Sequence, residues 1–397
     1  MSGLRNILSR ADNADDISDK PAWKIGISMM ASYATGVSLM AGMGIVFTMG
    51  LIPGFTWLFL NGISLGIWGV ILTKYPHVKS WVLTLPWLLI AILFGLFGPA
   101  FNLTALKSLL VSNSGNVASY GVMSANVATG ILVIAGLAVL LYINRYGIRG
   151  SVFTDFWQVC LQFGGVAGLI AAGWYLAGVN PGAIGFGDNI VLFAEGIGVE
   201  AALLSIWPTA ISPFLMSMSW QRWQAAPESK RLASALYGAG FFSLYMFMVG
   251  IAALVWQPHI IMTTMALLVV IGVGTSSLDS AISLHQYVGQ RFGYTHKIGT
   301  ALSGLALVIW AGAQTALPFG VADLWVFTAS IMGPYFIAGM IVTTIWWAAN
   351  RANPELTAAI RSTSKGILYF PENVYNQDET PTDTQSTVDS SPMSSDD

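Results

Sequence analysis

The chain has 397 residues, of which 55% are hydrophobic and only 9% charged, with a formal net charge of −2. A soluble domain carries roughly 25% charged residues, so this composition excludes a soluble body, and the charge balance offers no basic patch for nucleic acid. The single cysteine, Cys160, excludes a disulfide framework or a cysteine-based metal site within one chain.

Met1 to Lys20 is polar and charged, and the apolar run that follows is too long for a signal-peptide core. That run is read as a membrane span. A span needs about 20 mostly apolar residues, and such runs lie near 22–48, 52–72, 81–101, 120–143, 152–177, 190–219, 232–256, 261–287, 298–316 and 321–348. Between Pro53 and Trp57 a tight turn is expected, making a hairpin of the first two spans. With the N-terminus inside and each span crossing once, sixteen of the seventeen basic residues fall on the inner side; only Lys107 falls outside. That asymmetry is the positive-inside pattern, and one span more or fewer would scramble it. The expected location is the cell membrane, multi-pass, with both termini cytoplasmic.

After about Arg351 the chain turns polar, then acidic and rich in Ser and Thr. Such a segment cannot bury a core. It serves either to solubilise or to dock a cytoplasmic partner. The domain expectation is therefore a cytoplasmic segment (1–21), a first five-helix unit (22–178), a second five-helix unit (179–349) and an acidic tail (350–397).

Two consecutive units with an odd number of spans have opposite orientations, which is the arithmetic of an inverted repeat. Each unit also opens on an interruptible helix. Span one carries Ser32, Thr35, Gly36 and Ser38; span six carries Pro208, Thr209, Ser212, Pro213 and Ser217. Matching interrupted helices point to a binding site at the bilayer midplane, although Gly and Pro also serve ordinary packing in membrane helices. The fold class expected is an all-α polytopic membrane protein of about ten transmembrane helices in a five-plus-five inverted repeat.

Four stretches carry a family resemblance: LLYINRYGIRGSVFTDFWQ from Leu140, SWQRWQAAPESKRLASAL from Ser219, VGTSSLDSAIS from Val273, and ASYATGVSLMAGMG from Ala31. In order and spacing they resemble the sodium/solute symporter family, whose fold is the LeuT-type five-plus-five repeat. The chain departs from that family by having only the core spans. The resemblance implies a sodium site made of the carbonyls of Ala31, Ala34 and Val273 and the hydroxyls of Ser276 and Ser277. Serines in membrane helices otherwise bond their own preceding turn. Asp155 resembles a family aspartate on the inner sodium route. Asp279, inside span eight, is a second accessory carboxylate; either acid could equally pair with a nearby Arg or Lys. The family's first-span carboxylate is replaced here by Tyr33.

For the solute the resemblance points between spans one and six, to Thr35, Gly36 and Ser38 and to Thr209, Ser212, Pro213 and Ser217. Asn61 is a buried amide that needs partners, in the solute or in a neighbouring helix. The implied activity is sodium-coupled symport of a small organic solute into the cell by alternating access, with Na+ as coupling ion and the lipid bilayer as surroundings. A sodium-independent permease and a non-transporting solute sensor or accessory subunit are the alternatives. No enzyme chemistry is expected: the four histidines are scattered, without metal-ligand spacing.

Overall fold

A computed structural model of the chain describes residues 11, 13–34, 36–74, 100, 102–111, 123–179, 217–257, 259–291 and 296–316. Among these the architecture is helical, with eight named helices and no strand: α1 (Ala22–Tyr33), α2 (Gly36–Met49), α3 (Leu51–Lys74), α4 (Ala125–Val179), α5 (Ser217–Ala225), α6 (Glu228–Leu254), α7 (Ile260–Arg291) and α8 (His296–Ala316). The expected spans near 81–101 and 321–348, most of the span near 190–219, and the acidic tail lie outside the described residues.

Four helices are long and apolar enough to cross a membrane among the described residues. The longest, α4, has 55 residues. At 1.5 Å per residue that is about 80 Å of helix, far more than a hydrocarbon layer of roughly 30 Å. The chain resolves this by turning at Gly147, whose φ of 53° and ψ of −149° lie outside the helical region. Only glycine adopts that conformation without strain. The two arms of α4 correspond to the spans expected near 120–143 and 152–177. Their large apolar side chains point outward: Ile134 is 70%, Phe153 64% and Trp157 60% exposed, as lipid-facing residues must be.

The first expected span is interrupted. Helix α1 ends at Tyr33, Ala34 is extended at ψ 131°, and α2 begins at Gly36. The hydroxyl- and glycine-rich run Ser32–Ser38 has little intrinsic reason to stay helical through this point. The turn between the first two spans falls at Gly50, with φ 93°, earlier than the expected Pro53–Trp57. Pro53 instead lies in the first turn of α3, where its missing N–H would have had no intrahelical partner.

The second arm of α4 packs antiparallel along α7. Gly165 approaches Val269 and Met265, Gly272 approaches Gln158, and Thr154 approaches Asp279. Helix α6 packs against both α1 and α3. The apolar core is filled from α1, α2, α3, α4, α6 and α7, with Ala31, Ala34, Tyr245, Phe242, Val269 and Val273 among its members. Residues 11 and 13–20 form a strap across the bend of α4 and the start of α6. Ala11 N–H donates to Arg145 O and Arg149 N–H to Ala14 O, both at 2.9 Å. Arg149 forks onto Asp19, Lys230 Nζ donates to Ser18 O at 2.8 Å, and Ile17 is fully buried beside Trp223, Ile148 and Val152.

Candidate functional site

The centre of the molecule is a buried polar cluster at the seam of α1, α4, α5 and α7. Each helix brings its polar residues on one face. Ser28 and Ser32 of α1 are four apart; Ser151, Asp155, Gln158 and Gln162 of α4 repeat at helical spacing; so do Ser276, Asp279, Ser280 and Ser283 of α7. All ten are nine-tenths or more buried. Polar residues facing the bundle interior satisfy each other where lipid cannot.

Asp155 and Asp279 are the two carboxyl groups of this cluster, and Arg222, from α5, brings its guanidinium. The Arg222 side chain is wholly buried, with Nη2 3.2 Å from Asp155 Oδ2 and 4.0 Å from Asp279 Oδ1. Its guanidinium also donates to Ser28 Oγ at 2.5 Å, Ser151 Oγ at 2.5 Å and Ser280 Oγ at 2.7 Å. Asp155 accepts further from Ser28 Oγ and from Ser276 Oγ, the latter at 2.8 Å. Asp279 accepts from Ser151 Oγ at 2.7 Å, Thr154 Oγ1 at 2.9 Å and Gln158 Nε2 at 3.1 Å. Both carboxyl groups thus act as multiple acceptors. Asp155 is a deep residue paired with Arg222, one of the two uses left open for it. Arg222, expected among the inner-side charges, is drawn into the protein.

The five residues implied for sodium are all buried. Ala31 and Ala34 flank the end of α1, and Val273 packs in the same core cluster. A helix end leaves its last carbonyls without regular partners. Met30 O accepts from Ala34 N–H at 2.8 Å, and the helix breaks at Ala34, which is extended. The two hydroxyls differ. Ser276 Oγ is committed to Asp155, whereas Ser277 Oγ is buried without a hydrogen-bond partner among the described residues. An orphaned buried hydroxyl one turn from Val273, which shares a core cluster with Ala31 and Ala34, is a donor set that suits a hard monovalent cation. The residues present fit sodium on that observation.

Of the residues implied for the solute, Ser38 is buried on α2, and Gly36 opens that helix. Ser217 opens α5, and its side chain lies outside the described residues, as do Thr35, Thr209, Ser212 and Pro213 entirely. Asn61 finds its partner in a helix: Tyr33 donates to Asn61 Oδ1 at 3.1 Å, and Tyr33 Oη also lies 3.2 Å from Ser64 Oγ. Tyr33 is therefore a tie between α1 and α3.

An interrupted first helix, antiparallel spans and a buried charge cluster at their crossing define a polytopic helical protein of the LeuT-type transporter fold. Eleven chains of solved structures match it. One is described as a substrate-bound, outward-open state of a Na+-coupled sialic acid symporter that reveals a novel Na+ site. It aligns with a TM-score of 0.55 over 86% of this chain and 81% of that chain, at 14% sequence identity. No protein-family model matches the chain, and no curated protein matches it in sequence.

Proposed function

We propose that this protein is a secondary active transporter that carries a small organic solute into the cell with sodium, by alternating access. The observation that carries the reading is the broken α1, whose Ala31 and Ala34 share a core cluster with Val273 of α7, together with Ser277 Oγ one turn from Val273, buried and without a hydrogen-bond partner among the described residues. Broken helices supply such oxygens at low cost in a membrane, because the backbone there lines a binding site. In this reading Ala31, Ala34, Val273, Ser276 and Ser277 hold the cation. Asp155 orients Ser276 and lends it negative field; Asp279 does the same one helical turn further in. The solute lies between spans one and six, with Thr35, Gly36, Ser38, Thr209, Ser212, Pro213 and Ser217 as its lining, and Asn61 supports that lining through Tyr33. Sodium bound at the break favours the arrangement of α1 that receives solute, and linkage then requires each ligand to tighten the other. The fold neighbour, a Na+-coupled symporter, supports the same assignment. The membrane is the cell membrane, with both termini cytoplasmic, and the acidic tail is available to a cytoplasmic partner.

A sodium-independent permease is favoured by one observation, the Arg222 guanidinium seated between the two carboxylates. A tethered cation neutralises one acid without any free ion. Thermal unfolding of purified protein in sodium chloride and in choline chloride at equal ionic strength separates the two readings. A site filled to 100 times its Kd stabilises by about 2.7 kcal/mol. A sodium-specific rise that disappears in Ser276→Ala/Ser277→Ala supports coupling. Equal stability in both salts would overturn it in favour of the permease.

A further inference from the structure

The strap is built of turns and bends, with neither helix nor strand over residues 13–20, yet Ile17 at its centre is fully buried. The seat of Ile17 is an apolar cluster shared with Ile25 and Met29 of α1, Ile148 and Val152 of α4 and Trp223 of α5. That cluster adjoins the polar centre directly. Met29 follows Ser28, Val152 follows Ser151 and Trp223 follows Arg222 along the chain. Ile25 and Ile148 each stand three residues before the serine of their helix, about 4.5 Å of rise, on the side of the strap. The order from the strap into the protein is therefore Ile17, an apolar layer, and then the cluster of Ser28, Ser151, Asp155 and Arg222.

The strap is fastened to two separate elements. At the bend of α4, Arg149 N–H donates to Ala14 O at 2.9 Å, and the Arg149 guanidinium donates to Asp16 O at 3.2 Å and to the two Asp19 oxygens at 3.2 and 2.9 Å. At the start of α6, Lys230 Nζ donates to Ser18 O at 2.8 Å and to Lys20 O at 3.0 Å. The Arg149–Asp19 pair is open to water, with side chains 30% and 50% exposed, and ion pairs so exposed hold weakly. One deeply seated apolar side chain is thus combined with fastenings that release readily. Ile17 also draws its neighbours from three helices, so α1, α4 and α5 cannot part at this end while it stays seated.

An apolar constriction keeps water out of a polar path without any bond being broken, and alternating access needs a closure of the route at each end. We propose that residues 13–20 are a gate: the strap seats Ile17 against α1, α4 and α5 and closes the Ser28–Asp155–Arg222 cluster from water on the side of the α4 bend, and opening that side requires Ile17 to leave its seat. The inference rests on the transporter reading above, since a chain that never opens at this end has no use for a releasable closure.

The test is the rate at which a buried thiol reacts with a trimethylammonium methanethiosulfonate reagent in the purified full chain. Cys160, which is exposed, is first removed as Cys160→Ser. The reporter is Ser32→Cys, at a fully buried position one turn beyond Ser28 from the strap, and the control is Ala266→Cys, equally buried on α7 near the opposite end of the bundle. Ile17→Gln is expected to speed the Ser32→Cys reaction at least tenfold and to leave the Ala266→Cys rate unchanged. Ile17→Leu, which conserves volume and apolarity, leaves both rates unchanged. Should Ile17→Gln fail to fold, the pair Asp19→Asn and Lys230→Met, which unfastens the strap without touching the pocket, is read in the same way. A rise of less than tenfold at Ser32→Cys, or an equal rise at Ala266→Cys, overturns the gate. Labelling reads access alone, so a missing sodium response in the melts above overturns the transport reading while the Ser32→Cys rates decide the gate.

Discussion

Removing Arg222 is the perturbation with the largest consequence that can be worked from the structure. Its Nη2 stands 3.2 Å from Asp155 Oδ2 with both side chains fully buried. At an effective dielectric near 20, unit charges at that separation attract by about 5 kcal/mol. Desolvation offsets much of this in the intact pair, yet deleting one partner leaves the other charge buried alone, which costs about 3–5 kcal/mol. Arg222→Gln and Asp155→Asn are each expected to lose that much. The double variant should lose less than the sum by more than about 1.5 kcal/mol, within the range of coupling for contacting residues. The assay is unfolding in mild detergent titrated with dodecyl sulfate and followed by tryptophan fluorescence. The chain's fifteen tryptophans give it an ample signal. Losses that add within about 0.5 kcal/mol would refute the pairing, since independent sites behave that way.

Three further outcomes are expected. Ser276→Ala strips a donor from Asp155 and lowers stability by about 1–3 kcal/mol in any salt, whereas Ser277→Ala, which breaks no hydrogen bond among the described residues, loses stability only in sodium; paired melts in sodium and choline distinguish them. Gly147→Ala forces a side chain into a conformation suited to glycine and should cost about 1–3 kcal/mol, read in the same unfolding assay. The hydrogen bond from Lys20, helped by the charge of Arg149 and opposed by partial burial, holds Asp19 below the usual carboxylate range. Its contribution to the strap is therefore complete above that range and is lost as pH falls through the lowered value. Amide exchange of residues 11–20, corrected for intrinsic rate, should rise steeply there, and Asp19→Asn should abolish the step.

Much of the fold was legible because lipid imposes simple rules. Span length and the weak helix at Ser32–Ser38 each follow from one physical constraint, and α1, α2 and the two arms of α4 answer to them. The hairpin turn was misplaced by weighing Pro53 as a breaker, when a proline in a first turn is tolerated and Gly50 supplies the positive φ. The site was legible where periodicity reports it: Ser276, Asp279 and Ser280 share a face, and Ser151, Asp155, Gln158 and Gln162 share another that could have been read the same way. Arg222 was not legible. Counting charge by side assigns it to the end of a span, but only the packing of α5 against α1, α4 and α7 reveals that the guanidinium turns into the protein. Asn61 resisted for the same reason, since a lone amide does not announce whether its partner is a solute or Tyr33.

The central claim is that the break after Tyr33 and the hydroxyls of α7 hold sodium. Equilibrium binding of radioactive sodium to the purified full-length protein, in wild type and Ser277→Ala, tests it most directly. Saturable, stoichiometric binding that falls at least tenfold in affinity in the variant is the predicted result. Absence of saturable binding, or binding of equal affinity in both proteins, would contradict it.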